Sequence, residues 1–285
     1  MSGKVKKKEY DLIIRPKQSL LNIDFKAFWR YRDLLLLFVK RDFVATYKQT
    51  ILGPLWFLIQ PILTTVTFLI IFGNIAKIST DGIPPVLFYL SGIVLWNYYA
   101  ECLTKTSDTF TANSNIFGKV YFPRLIVPLS VVLSNLIRWL IQFVLFLGFW
   151  IYFYFKGVDI QIHSTIILLP ILIILMAGHG LALGIIISSL TTKYRDLKFL
   201  VQFGVQLLMY ASPVVYPLSS VPEKYQWIIL LNPMTSIIET FKFSFFGVGV
   251  FSFGHLLYNF ISFLVILLFG ILMFNKVEKS FMDTV

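Results

Sequence analysis

The chain has 285 residues, 57% of them hydrophobic and 14% charged, with a mean hydropathy of +0.78. A soluble domain is about half apolar and about a quarter charged, so this balance excludes one and implies a polytopic membrane protein. The net charge of +11 is spread along the chain, whereas nucleic-acid binding gathers basic and aromatic residues on one soluble face; no nucleic-acid partner is expected.

Residues 1–24 read as a polar N-terminal tail. It is basic but lacks an apolar core followed by a small-residue cleavage site, so no removable signal peptide is expected. Residues 25–48 read as an amphipathic helix with Lys26, Arg30, Asp33, Lys40, Arg41 and Lys48 on one side. Phe25, Phe28, Leu35, Leu36, Val39 and Phe43 take the other. Such a helix lies in the membrane interface as an anchor on anionic lipid. A second reading adds a cradle for a partner or an anionic head group, built from Lys26, Arg30, Lys40 and Arg41.

Residues 49–285 read as a single six-span membrane domain, a span needing about 20 apolar residues. The spans run from Leu55 to Ala76, Val86 to Ala100, Leu125 to Phe155, Ile166 to Leu190, Leu200 to Tyr216 and Leu256 to Phe274. Lys and Arg crowd the N-terminal segment, the connections after the second and fourth spans, and the C-terminus. The opposite connections hold only Lys77, Lys156, Lys224 and Lys242. Cytoplasmic flanks carry the basic excess, so both termini are expected to be cytoplasmic.

Between the second and third spans lies NSNIFGKVYFPRLIVPLS, Asn113 to Ser130. It is polar, basic and broken by Pro123 and Pro128, which turn the chain back into the membrane. The third span carries Asn135, Arg138 and Gln142 at helical spacing. An arginine at membrane depth costs about 2.5 to 3.5 kcal/mol on the insertion scale unless it faces water or a partner. Arg138 therefore faces a translocation path or the bundle interior, or sits in a buried pair with Glu239 or Glu101. Trp139, Phe143, Phe146 and Trp150 form a neighbouring aromatic face that either stacks on sugar rings or packs against helices. After the fifth span, Ser212 to Pro217 contains two prolines, and Gln226 to Phe246 is broken at Asn232-Pro233. Segments too short to cross survive at membrane depth only inside protein or along a cavity. They are expected to form a re-entrant helix pair, with an interfacial pair as the alternative.

GPLWFLIQP from Gly53, SGIVLWNYY from Ser91, the Asn113 to Ser130 motif, KYRD from Lys193, SPVVYP from Ser212 and LNP from Leu231 occur in that order. Together they resemble the permease subunit of type 2 ABC exporters, in the branch that exports lipid-linked polysaccharides such as O antigen. Capsule and teichoic acid exporter permeases are close relatives. The resemblance covers nearly the whole chain and implies an all-α permease of the bacterial cytoplasmic (inner) membrane. It implies a second copy of this chain and two copies of an ABC ATPase subunit, with a lipid-linked polysaccharide as substrate. It further implies ATPase coupling through Asn115, Lys119, Tyr121, Phe122 and Arg124, with a smaller contact at Tyr194, Arg195 and Asp196. Arg138, Trp139, Gln142, Phe143, Phe146 and Trp150 would border the translocation path. Pro213, Tyr216, Asn232 and Pro233 would form an outer gate.

The phosphate-cradling pattern G-x-x-x-x-G-K-[ST] is absent, so no cofactor is expected on this chain, with ATP and Mg on the partner subunit. The lone Cys102 precludes an intrachain disulfide. A membrane enzyme would need paired acids and bases or a metal constellation, and His163, His179 and His255 are scattered; no metal site is expected. An ion-coupled transporter would show intramembrane carboxylates and internal repeats, and the span interiors are nearly free of acids.

Overall fold

A computed structural model describes residues 25–48 and 50–284, and among them every regular element is helical. The tail 1–24 and the side chain of Lys26 lie outside the described residues. The N-terminal helix is two pieces, α1 (Phe25–Arg30) and α2 (Arg32–Tyr47), separated at Tyr31. Its buried face centres on Phe38 and Val39, while Leu36 and Leu37 are more than 60% exposed. Leu36, expected on the apolar packing side, stands about 160° around the helix from Phe38 at about 100° per residue.

A turn of 3-10 helix at Gly53–Leu55 leads into α3 (Trp56–Phe68), which continues as a π-helical stretch, Leu69–Ile75. Then come α4 (Pro85–Ser107), the one-turn α5 (Thr109–Ala112) and α6 (Ser114–Phe117), and α7 (Ile126–Phe155). A 3-10 turn at Ser164–Leu168 precedes α8 (Leu169–Thr191), followed by α9 (Leu197–Tyr210). The chain ends with α10 (Glu223–Leu231), α11 (Pro233–Phe246) and α12 (Phe253–Thr284).

Among the described residues, five stretches are long and apolar enough to cross a membrane: Gly53–Ile75, Pro85–Ser107, Ile126–Phe155, Ser164–Thr191 and Phe253–Glu278. The expected fifth span is instead the 14-residue α9, which reaches only about 21 Å at 1.5 Å per residue against a hydrocarbon core of about 30 Å. The second span is longer than expected, because the helix runs on through the polar Glu101 to Ser107.

α4 is the axis of the bundle. Of its most apolar window 78% is buried, against 17% for the span at the C-terminal end. Small residues permit this. A Cβ added at Gly180 would come within 2.7 Å of the Cys102 Cβ, and one at Gly184 within 2.5 Å of the Thr106 Cβ, so two glycines four residues apart let α8 lie directly on α4. Gly92 does the same for the chain after α9: an added Cβ would lie 3.1 Å from the Val214 backbone. A second core gathers Phe38, Phe110, Phe117, Phe122 and Phe274 at the α2 end of the bundle.

Candidate functional site

Four helices turn polar side chains onto one cleft of about 450 Å³. Gln60 comes from α3, Asn97 and Glu101 from α4, Asn135, Arg138 and Gln142 from α7, and Gln202 and Gln206 from α9. On α4, α7 and α9 these are spaced by three or four residues, the intervals that stack side chains on one helix face. Trp56 supplies an exposed indole to the same walls, while Trp96 and Trp139 back them as buried rings.

Arg138 organises the base of the cleft. Its Nη1 donates to Glu101 Oε2 at 3.3 Å and its Nη2 to the backbone carbonyl of Asp42 on α2 at 3.3 Å. The guanidinium also lies over the Phe57 ring, 5.4 Å from its centroid. Lys105, one turn beyond Glu101, pairs with the same carboxylate. Desolvating an arginine is tolerable only with such compensation, and Glu101 supplies it. Glu239 lies elsewhere: it is buried on α11 and accepts from the Val250 amide at 3.1 Å.

The aromatic face of α7 divides along its length. Trp139 and Gln142 border the cleft, and Phe143 stacks on Trp139 with centroids 4.8 Å apart. Phe146 is fully buried against Phe241 and Phe245, and the Trp150 indole donates to the Phe245 carbonyl at 3.1 Å. Phe146 and Trp150 therefore do not line the cleft as expected; the stripe keeps its direction on α7, but α11 covers its far half.

At the α2 end, the segments flanking the two polar loops expected to act in coupling meet. Lys198 pairs with Asp108 at 2.7 Å, the Phe110 amide donates to Ser188 Oγ at 3.2 Å, and Thr191 Oγ1 donates to the Ser107 carbonyl at 3.2 Å. Asn115, Lys119 and Tyr121 are exposed in one loop, and Tyr194, Arg195 and Asp196 in the other. Phe122, expected to offer an outward contact, is instead buried edge-on to Phe38, with centroids 5.7 Å apart. Arg124 is committed inward as well, donating to the Glu278 carbonyl at 2.9 Å and lying over Phe117. Burial lowers its pKa, and Glu278 and Tyr121 act in the opposite direction. On α2, Lys40 and Arg41 are exposed, and Arg41 pairs with Asp42 at 2.8 Å; Arg30 on α1 is exposed too.

The segment expected to form an outer gate is tightly tied. Asn232 caps α11 by accepting from the Met234 amide at 3.1 Å, and its amide donates to Ser212 Oγ at 2.7 Å. Pro233 takes the first helical position, where a missing N–H costs nothing. Pro213 is buried, and its carbonyl accepts from Lys242 Nζ at 2.6 Å. Tyr216 is half-buried beside them. Lys242 is itself 1% exposed, so it is an internal tie and not the surface cation its place in the charge pattern suggested.

Residues 33–246 match the family described as ABC-2 type transporter. The chain belongs to that family. It is 28% identical over 251 residues to the O-antigen export system permease protein RfbA of Klebsiella pneumoniae, covering 88% of this chain and 94% of the relative. It is 23% identical over 203 residues to the polysialic acid transport protein KpsM of Escherichia coli, covering 70% of this chain and 76% of that one. It is 20% identical over 247 residues to the capsule polysaccharide export inner-membrane protein CtrC of Neisseria meningitidis, covering 84% and 89%.

Gln60, Asn97, Gln202 and Gln206 went unread in the sequence. The signal was present: Gln202 and Gln206 stand four apart in an otherwise apolar helix, as do Asn97 and Glu101. Polar pairs at that spacing inside apolar stretches belong to a cavity-facing stripe.

Proposed function

We propose that this chain is the membrane permease of an ATP-driven exporter of lipid-linked polysaccharide of the O-antigen type, acting as a homodimer with two ATPase subunits in the bacterial inner membrane, its termini cytoplasmic. The observation that carries the reading is a cleft of carboxamides and indoles in a bundle whose relatives bear polysaccharide-export names. The exposed loops at the α2 end support docking of the ATPase there, and the tied chain after α9 supports a re-entrant outer gate. Capsular glycan is the second reading, favoured by the names of KpsM and CtrC.

Deleting the gene should abolish surface polysaccharide, and this chain should restore it; unaltered surface glycan in the deletion strain would end the proposal. The purified chain alone should hydrolyse no ATP. Lys119→Glu, at an exposed loop position, should leave thermal stability unchanged while weakening co-purification of the ATPase. Phe122→Ala should instead destabilise the chain by about 3 kcal/mol, the usual cost of a large aromatic cavity. Equal stability of the two variants would place Phe122 at the surface.

A further inference from the structure

The charge balance of the cleft bears on which glycans it takes. Its walls hold two cations, Arg138 and Lys105, and both are paired with Glu101. Much of the remaining polar lining is carboxamide: Gln60, Asn97, Gln142, Gln202 and Gln206 among them. A carboxamide presents a donor and an acceptor side by side, matching neighbouring sugar hydroxyls, which both donate and accept. The half-exposed indole of Trp56 can cover the apolar C–H face of such a ring. A glycan bearing a carboxylate on every residue would have to leave these anions unpaired or take the cations from Glu101. Either route is unfavourable in a partly desolvated site.

We infer that the cleft is a subsite for uncharged sugar rings, read by the amides of α3, α4, α7 and α9, and that it discriminates against polyanionic glycans. The inference rests on the polysaccharide reading above and narrows it to a charge class. Selection is set on α9 in particular, where Gln202 and Gln206 are the exposed polar pair.

The test uses the full-length chain in lipid nanodiscs, titrated with a short uncharged mannose oligomer and with oligosialic acid of equal length. The mannose oligomer should bind at least about tenfold more tightly, a difference of about 1.4 kcal/mol. Replacing both Gln202→Leu and Gln206→Leu should remove most of that affinity. Gln206→Lys, which adds an unmatched cation without removing helix, should narrow or reverse the preference, and it keeps the test informative if the double variant fails to assemble. Equal or tighter oligosialic acid binding, no binding of either oligomer, or a preference unmoved by Gln206→Lys would each overturn the inference. The broader reading fails separately, through unaltered surface polysaccharide in the deletion strain.

Discussion

The chain buries polar groups in two places, and they are built oppositely. Around α11 most partners are internal: Lys242 holds the Pro213 carbonyl, Asn232 holds Ser212, Glu239 holds the Val250 amide, and Asn259 holds Ser236. In the cleft, Arg138, Glu101 and Lys105 pair among themselves, but Gln60, Gln202 and Gln206 are exposed along the walls. Buried polar groups that find partners in the fold serve the fold, because losing one leaves the other unpaired at a cost. Polar groups gathered on a cavity within apolar helices are costly to keep there and point to something that passes or binds.

The contrast is broken most severely by Lys242→Ala. It strips the tie from Pro213 and leaves Glu239, one turn away on α11, without its neighbouring cation, and should cost about 3 to 5 kcal/mol of stability. Thermal unfolding in detergent measures it, and a near-native midpoint would show that the α11 network is not structural. Arg138→Leu should act on the other side of the comparison. Glu101 keeps Lys105 as a partner, so the variant should fold, yet export should fall about tenfold, equivalent to about 1.4 kcal/mol; Lys156→Leu at the bundle edge should have little effect. Wild-type export by Arg138→Leu would remove that residue from the cleft's function. The smallest effect separates two tryptophans on one stripe. Both rings are buried, so each truncation loses packing, but Trp150→Phe also deletes the hydrogen bond to Phe245 and should cost about 1 kcal/mol more stability than Trp139→Phe, whereas Trp139→Phe should be the one that lowers export. Equal behaviour of the pair would mean that α11 does not divide the face.

Much of this was legible in the sequence where a single helix decides the answer. The long spans, the proline breaks, the polar stripe on α7 and the interruption at Asn232-Pro233 follow from local pattern. What was not legible depends on which helix covers which. Phe146 and Trp150 share a face with Trp139, and only the placement of α11 withdraws them from the cleft. Phe122 sits among charged residues in the chain but packs on Phe38, from a helix more than 80 residues earlier. Arg138 had two acidic candidates, and the choice of Glu101 needed the packing of α4 against α7.

The contact between Arg138 and α2 includes a hydrogen bond to a peptide carbonyl, that of Asp42. An alanine scan of α2 would leave that acceptor in place, since every substitution at that position retains it. That hydrogen bond becomes visible only from the arginine's end, or by displacing the helix axis itself, for instance with a proline that distorts the last turn. A helix joined to the cleft in this way can vary its surface residues to suit different lipids or partners while its mechanical attachment stays the same.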